Sequence, residues 1–379
     1  MRHRDQRAGR PDRRSGSRPL PGALRRHDLG RPGGRKPGTH RSHGPDRQLA
    51  LSGGRPDCPR ADAGRPRRAD PDRRGRRGSA GGALGARGCG RLVTLPPFDL
   101  HRPGSVEEAT ELLDRYGEEA ALYCGGTELL LLLKLGFASF GHLVDLKRIE
   151  ELQGIYSDDG HLVVGAAVTH RELERSQLVL ERLPSLAAME RRVANLRVRE
   201  VGTIGGNLSF SDPHSDPATF LLALDAEVEC RRGGEPGRRL PIGEFVLGPY
   251  QTALREGELL VSARIPLPDS DTAIAYEKFS FHERPTATVA CFARMENGSI
   301  VEARVAVGSV GARPTRALEA ERLLGGAPPG ELDAGVLFQV GDRAAEAAGP
   351  VDDANGSADY KAQLVRVLVE RALRKATAT

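Results

Sequence analysis

Gly125-Gly126-Thr127 and Thr203-Ile204-Gly205-Gly206-Asn207 are the stretches on which the reading of this chain turns. They stand 77 residues apart, from Gly126 to Thr203, inside a mixed helix-and-strand pattern. Neither has the spacing of a Rossmann or Walker phosphate loop. Glycine lets backbone approach a phosphate closely, and amides at a helix start favour an anion. A Gly-Gly bend between strand and helix is by itself only a turn. Two such bends are what a fold needs to hold a long dinucleotide diphosphate between two lobes.

Around the first bend, Ser105-Val-Glu-Glu108 reads as a capping box, with Val106, Ala109, Leu112, Leu113 and Tyr116 on one helical face. A short strand follows over Ala120 to Cys124. Thr127 is placed to cap a leucine-rich helix that ends at Gly136. His142 to Leu146 reads as a strand. A hairpin turns at Asp158-Asp159-Gly160, and Thr169-His-Arg-Glu172 is a second capping box. A helix is predicted over 183–193. Arg197 to Leu208 carries strand-like residues broken by glycines, and 216–225 reads as helix.

Val228 to Arg231 pairs with Arg239 to Ile242, and Leu259 to Ile265 is a strand ended by Pro266. Beyond a boundary near 266–271, two alternating strands flank Asn297-Gly298, a strong hairpin signal. Helices over 316–324, 335–347 and 358–375 close the chain. The predicted class is α+β, ending in an antiparallel sheet covered by helices.

Charge divides the chain. Residues 1–92 hold 25 of the 56 Lys+Arg and 8 of the 51 Asp+Glu, a net +17 against −12 for the remainder. The whole-chain +5 therefore describes neither part. The leader has no Val, Ile, Phe, Tyr, Trp, Glu or Asn, so it lacks the apolar surface to offset its ordering entropy. A nucleic-acid-binding arm is the alternative, but aromatic interleaving and an RGG repeat are both missing. The expectation is a disordered basic extension from a start placed too far upstream. A chain beginning near Val93 should fold and bind cofactor as well as the full length; loss of folding on that truncation would refute this.

The five cysteines (58, 89, 124, 230, 291) form no CxxC and no zinc or iron–sulfur cluster pattern. Their odd, sparse set argues for reduced thiols and a cytoplasmic protein. No apolar run reaches membrane-span length. Asp212-Pro-His-Ser-Asp216 invites a metal or a dyad, yet Asp216 precedes an apolar helix, where a capping carboxylate is the default. No Gly-x-Ser-x-Gly is present, Cys124 lies in a buried strand, and His282-Glu283-Arg284-Pro285 is a charged loop.

The two bends and their surroundings resemble one family, the FAD-binding medium subunits of molybdenum hydroxylases of the carbon monoxide dehydrogenase and xanthine dehydrogenase group. The likeness runs from Thr94 to about Arg374. It is carried by 123–130, 144–152, 164–170, 202–208, 212–218, 276–279 and 302–311 in order. It implies a vanillyl-alcohol-oxidase/PCMH-like arrangement with FAD lobes at 93–165 and 166–270 and a C-terminal domain at 271–379.

By that resemblance Leu122, Tyr123, Cys124, Gly125, Gly126, Thr127, Glu128 and Leu129 contact the FAD diphosphate. Thr203, Ile204, Gly205, Gly206 and Asn207 line flavin and diphosphate. Asp216 binds the hydroxyl-bearing part, and Leu260 and Lys278 meet the isoalloxazine side. Cys124 stands where the family usually has alanine, and Glu128 where it often has aspartate. No cysteine-rich insertion is present, which argues against a benzoyl-CoA-reductase-like subunit.

The implied activity is electron transfer from an iron–sulfur subunit through FAD to an external acceptor. The implied partners are a 2Fe-2S small subunit and a molybdopterin large subunit, in a dimer of heterotrimers. A free-standing FAD oxidoreductase of the same lobes is the rival within the fold. It needs a substrate cap and a proton donor or covalent flavin link, and no residue stands out for either.

Overall fold

The computed structural model describes residues 95–281 and 283–377. The expectations for residues 1–92, and for His282, lie outside the described residues. Three sheets of three or more strands organise the described residues, beside a two-stranded one of Val246–Gly248 and Gln251–Thr252. The first is parallel: Asp99–His101 and Ala120–Tyr123 flank His142–Asp145. The helix Val106–Tyr116 packs on it, and Ser105 Oγ accepts from the Glu108 amide. Glu108 returns to the amide of Gly104, one residue upstream of the expected partner.

In the second sheet, antiparallel, the strands run Ile155–Asp158, His161–Gly165, Leu259–Pro266, Glu227–Arg231 and Arg238–Pro241 in spatial order. Pairing of Ser262 with Gly165 and Ile265 with Leu162 places the 155–165 hairpin in this second sheet. Thr169 does form its capping box with Glu172.

Thr272–Phe279, Ala287–Glu296, Ser299–Gly308 and the short Thr315–Arg316 make the third sheet, antiparallel throughout. Asn297 and Gly298 both take positive φ, as a two-residue hairpin turn requires. Strand alternation then divides the side chains between two faces. Val289, Cys291 and Ala293 join a core with the helices Ala334–Ala348 and Ala358–Thr377. Ala290 and Phe292 face the other way, into the core built around the helix Asp216–Ala223. That helix is buried at all eight positions because it lies between the second lobe and the third sheet. Thr219 fits so closely against the sheet that any side chain at Gly308 would overlap its hydroxyl.

The strand-like stretch 197–208 is two helices, Leu196–Val201 and Ile204–Phe210. Asn195 accepts from the Val198 amide and Thr203 from the Gly206 amide. These two caps outweigh the β preference of Val198, Val201 and Ile204.

Candidate functional site

The two glycine bends meet. The strand Ala120–Tyr123 ends in Cys124-Gly125-Gly126-Thr127, and the helix Leu129–Leu135 begins directly after. A Cβ on Gly125 would stand 2.4 Å from the Val201 carbonyl oxygen and 2.7 Å from Gly202 Cα. A Cβ on Gly202 would lie 3.6 Å from Thr127 Cγ2. Burial pushes the Cys124 thiol up from its ordinary value, so it is not a ready thiolate.

Amide accounting separates the roles of the bends. In the second, Ile204 donates to the Val168 carbonyl (3.0 Å), Gly205 to Ala166 (3.0 Å) and Gly206 to Thr203 Oγ1 (3.1 Å). These three amides are spent, and what the two glycines offer is a bare surface. Gly206 has only Thr203 Oγ1 near the place of a Cβ. In the first bend, the amides from Gly125 to Leu129 enter no backbone–backbone bond among the described residues. Thr127 does not cap the helix after it, and Glu128 provides no side-chain cap either. Unspent amides at a helix start are the donor set that a diphosphate requires. The residues present therefore fit the dinucleotide: donors on one bend, a flat glycine wall on the other.

Lys147, absent from the sequence-based site, stands beside the first bend. Its ammonium is 3.3 Å from the Cys124 carbonyl, 3.8 Å above the Tyr123 ring and 2.9 Å from Asp145. It is a cation suited to an anionic ligand there. Arg284 is the second omission. It lies 2.9 Å from Asp212 and 3.6 Å from Glu128, linking the first bend to the loop after Phe210. Burial raises the Glu128 carboxyl and Arg284 opposes that. Spacing along the chain holds no trace of these contacts; the only sequence signals are Lys147 inside the 144–152 match and Arg284 in the charged loop.

Asp216 is no cap. Ser215 caps the helix and accepts from the Ala218 amide (3.1 Å), while Asp216 occupies its first turn. Its carboxylate is buried, 2.8 Å from Lys278 Nζ, and takes the Tyr276 hydroxyl proton in a hydrogen bond. Burial raises this carboxyl and Lys278 pulls it back. Lys278 also donates to the Arg192 carbonyl (2.8 Å). So Asp216 and Lys278 are brought together, onto each other. Asn207 Oδ1 accepts from the Ser215 hydroxyl at 2.5 Å, which ties the glycine wall to the Asp216 helix. Leu260 is buried in the second-lobe core. The next residue, Val261, accepts the Ala166 amide behind Gly205 (2.8 Å).

A two-lobed α+β chain with a donor bend facing a glycine wall belongs to the class of dinucleotide-binding flavoproteins. Residues 96–268 match the FAD binding domain in molybdopterin dehydrogenase, and 275–376 match the CO dehydrogenase flavoprotein C-terminal domain. The carbon monoxide dehydrogenase medium chain of Hydrogenophaga pseudoflava is 36% identical over 75% of this chain and 99% of its own length. The xanthine dehydrogenase FAD-binding subunit of Escherichia coli O157:H7 is 29% identical over 73% and 95%.

Among solved structures, carbon monoxide dehydrogenase from H. pseudoflava superposes with a TM-score of 0.72, covering 75% of this chain and 99% of that one. Quinoline 2-oxidoreductase from Pseudomonas putida 86 does so at 0.71 with 28% identity, covering 75% and 98%. The chain belongs to the FAD-binding medium subunits of molybdenum hydroxylases, and its cofactor is FAD. Among the described residues no helix is long and apolar enough to cross a membrane.

Proposed function

We propose that this subunit carries electrons from a 2Fe-2S small subunit to an external acceptor. Substrate oxidation would then occur on a molybdopterin large subunit, in a cytoplasmic dimer of heterotrimers. FAD supplies the capacity to accept electrons singly and release them singly or in pairs. The chain's own residues do the rest. The unspent amides from Gly125 to Leu129, with Lys147, hold the diphosphate. The wall from Thr203 to Asn207 admits the cofactor without a side-chain clash. The Asp216–Lys278–Tyr276 group fixes the junction with the third sheet beside the cofactor.

The observation that supports this reading is the close approach of the Gly125 bend to Val201 and Gly202, which sets the two bends side by side. The test is the visible spectrum of the purified full chain. Bands of bound oxidised flavin, with FAD released on heating, are expected. Co-expression with neighbouring iron–sulfur and molybdenum open reading frames should then yield one complex in which substrate bleaches the flavin. A colourless chain indifferent to added FAD refutes the cofactor assignment. A flavin-loaded chain that never joins such a complex refutes the electron-transfer role.

A further inference from the structure

Behind the meeting point of the two bends lies a buried acid–imidazole pair that the cofactor site does not use directly. His170 and Glu190 are 2% and 0% exposed. His170 Nδ1 is 2.8 Å from Glu190 Oε2, its N–H donating. Glu190 Oε1 is buried with no partner. The neighbouring arginines do not serve Glu190: Arg171, Arg191 and Arg199 all converge on Glu174. A buried carboxylate with one oxygen orphaned is uncommon, and a pair kept in that condition needs a reason other than stability.

The reason lies on the other side of the imidazole. The ring edge rests against Gly202, where a Cβ would come within 3.3 Å of His170 Cδ2. The His170 amide donates to the Gly202 carbonyl (3.0 Å), and Thr169 bridges Thr203. Gly202 is also the residue that Gly125 and Thr127 touch from the first bend. One imidazole, turned by one carboxylate, therefore backs the residue at which donor bend and glycine wall meet.

We propose that His170 and Glu190 are positioning residues for FAD. Glu190 fixes the ring rotation of His170, and the ring sets how far Gly202 and Thr203 stand from the Gly125 bend. The inference rests on the assignment of this cleft to FAD. It concerns how tightly the cleft closes, not the electron-transfer role.

The experiment measures FAD dissociation from the full-length chain by fluorescence of released flavin, with visible circular dichroism of the bound state. Apo-protein melting serves as the folding control. Glu190→Leu and His170→Phe should weaken FAD binding at least tenfold and alter the flavin dichroism. Glu190→Gln still accepts the Nδ1 proton and should stay within about threefold of the parent. His170→Asn keeps an amide N–H near the place of Nδ1 but removes the ring edge that rests against Gly202, so it should weaken FAD binding at least tenfold.

Parent-like affinity and dichroism in folded Glu190→Leu and His170→Phe would overturn the proposal. So would a Glu190→Gln as weak as Glu190→Leu, since charge and not position would then be at stake. Should Glu190→Leu and His170→Phe fail to fold, the other pair decides: parent-like binding and dichroism in Glu190→Gln with a tenfold loss in His170→Asn supports positioning by the ring, and a parent-like His170→Asn or a tenfold loss in Glu190→Gln overturns it. A parent chain that binds no FAD would instead refute the cofactor assignment.

Discussion

Gly125→Val should yield a chain that neither holds FAD nor keeps its parent's thermal stability. The demand for glycine here is one of space, because the atoms a Cβ would strike are backbone. Val201 O at 2.4 Å and Gly202 Cα at 2.7 Å cannot rotate away. Relief requires the bends to part, and parting them opens the cleft between donors and wall. Overpacking of this kind costs about 1–3 kcal/mol, and a clash against main chain belongs at the upper end.

Gly206→Val is the informative contrast. The atom nearest its Cβ is Thr203 Oγ1 at 2.9 Å, and otherwise the position faces open space. That variant should melt close to the parent and still purify without flavin, because on the proposed reading its side chain would enter cofactor space. Absorbance per chain and melting temperature, measured on both variants, separate the two effects. Full flavin content in Gly206→Val would mean that the second bend is structural only.

The contrast between these glycines shows where sequence reasoning stops. Turn chemistry is legible where a capping box, an Asn-Gly pair or a terminal glycine marks it. Gly136 ends its helix in the left-handed region, Asn297-Gly298 turns its hairpin, and Thr169 closes its box with Glu172. The 197–208 stretch escapes the sequence reading because Val, Ile and Gly argue locally against helix, while the deciding groups are single cap side chains, Asn195 and Thr203.

The site was legible as two bends but not as a division of labour. Whether a bend's amides are free depends on Ala166 and Val168, which approach from another segment. Lys147, Arg284, His170 and Glu190 escaped for the same reason. The contacts that give them meaning cross 20 or more residues of sequence. No periodicity encodes such contacts.

Lys278→Met tests the buried charge pair at the junction of the lobes with the third sheet. Lys278 and Asp216 side chains are 6% and 4% exposed, so removal of the ammonium leaves the carboxylate in the interior with the Tyr276 hydroxyl and no cation at hydrogen-bond distance. Breaking a buried pair from one side costs about 3–5 kcal/mol. At roughly 2–4 °C per kcal/mol for a domain of this size, the melting temperature should fall by roughly 6–20 °C.

The pH dependence has a definite sign. Burial raises Asp216 above its ordinary carboxylate value in the native state, and Lys278 lowers it. A carboxyl raised on folding binds its proton more tightly when native than when unfolded. The stability linked to it is present below the unfolded value and is lost as pH rises through the folded value. Without Lys278 the folded value climbs further. The deficit of Lys278→Met should thus be large at pH 8 and smaller at pH 5. Adding Asp216→Asn should recover much of it at pH 8, because a neutral amide still accepts the Tyr276 proton. Melting curves of the parent, the single and the double variant at both pH values test this. A deficit independent of pH would show that Lys278 acts through packing of its stem and its bond to the Arg192 carbonyl, and not through the charge of Asp216.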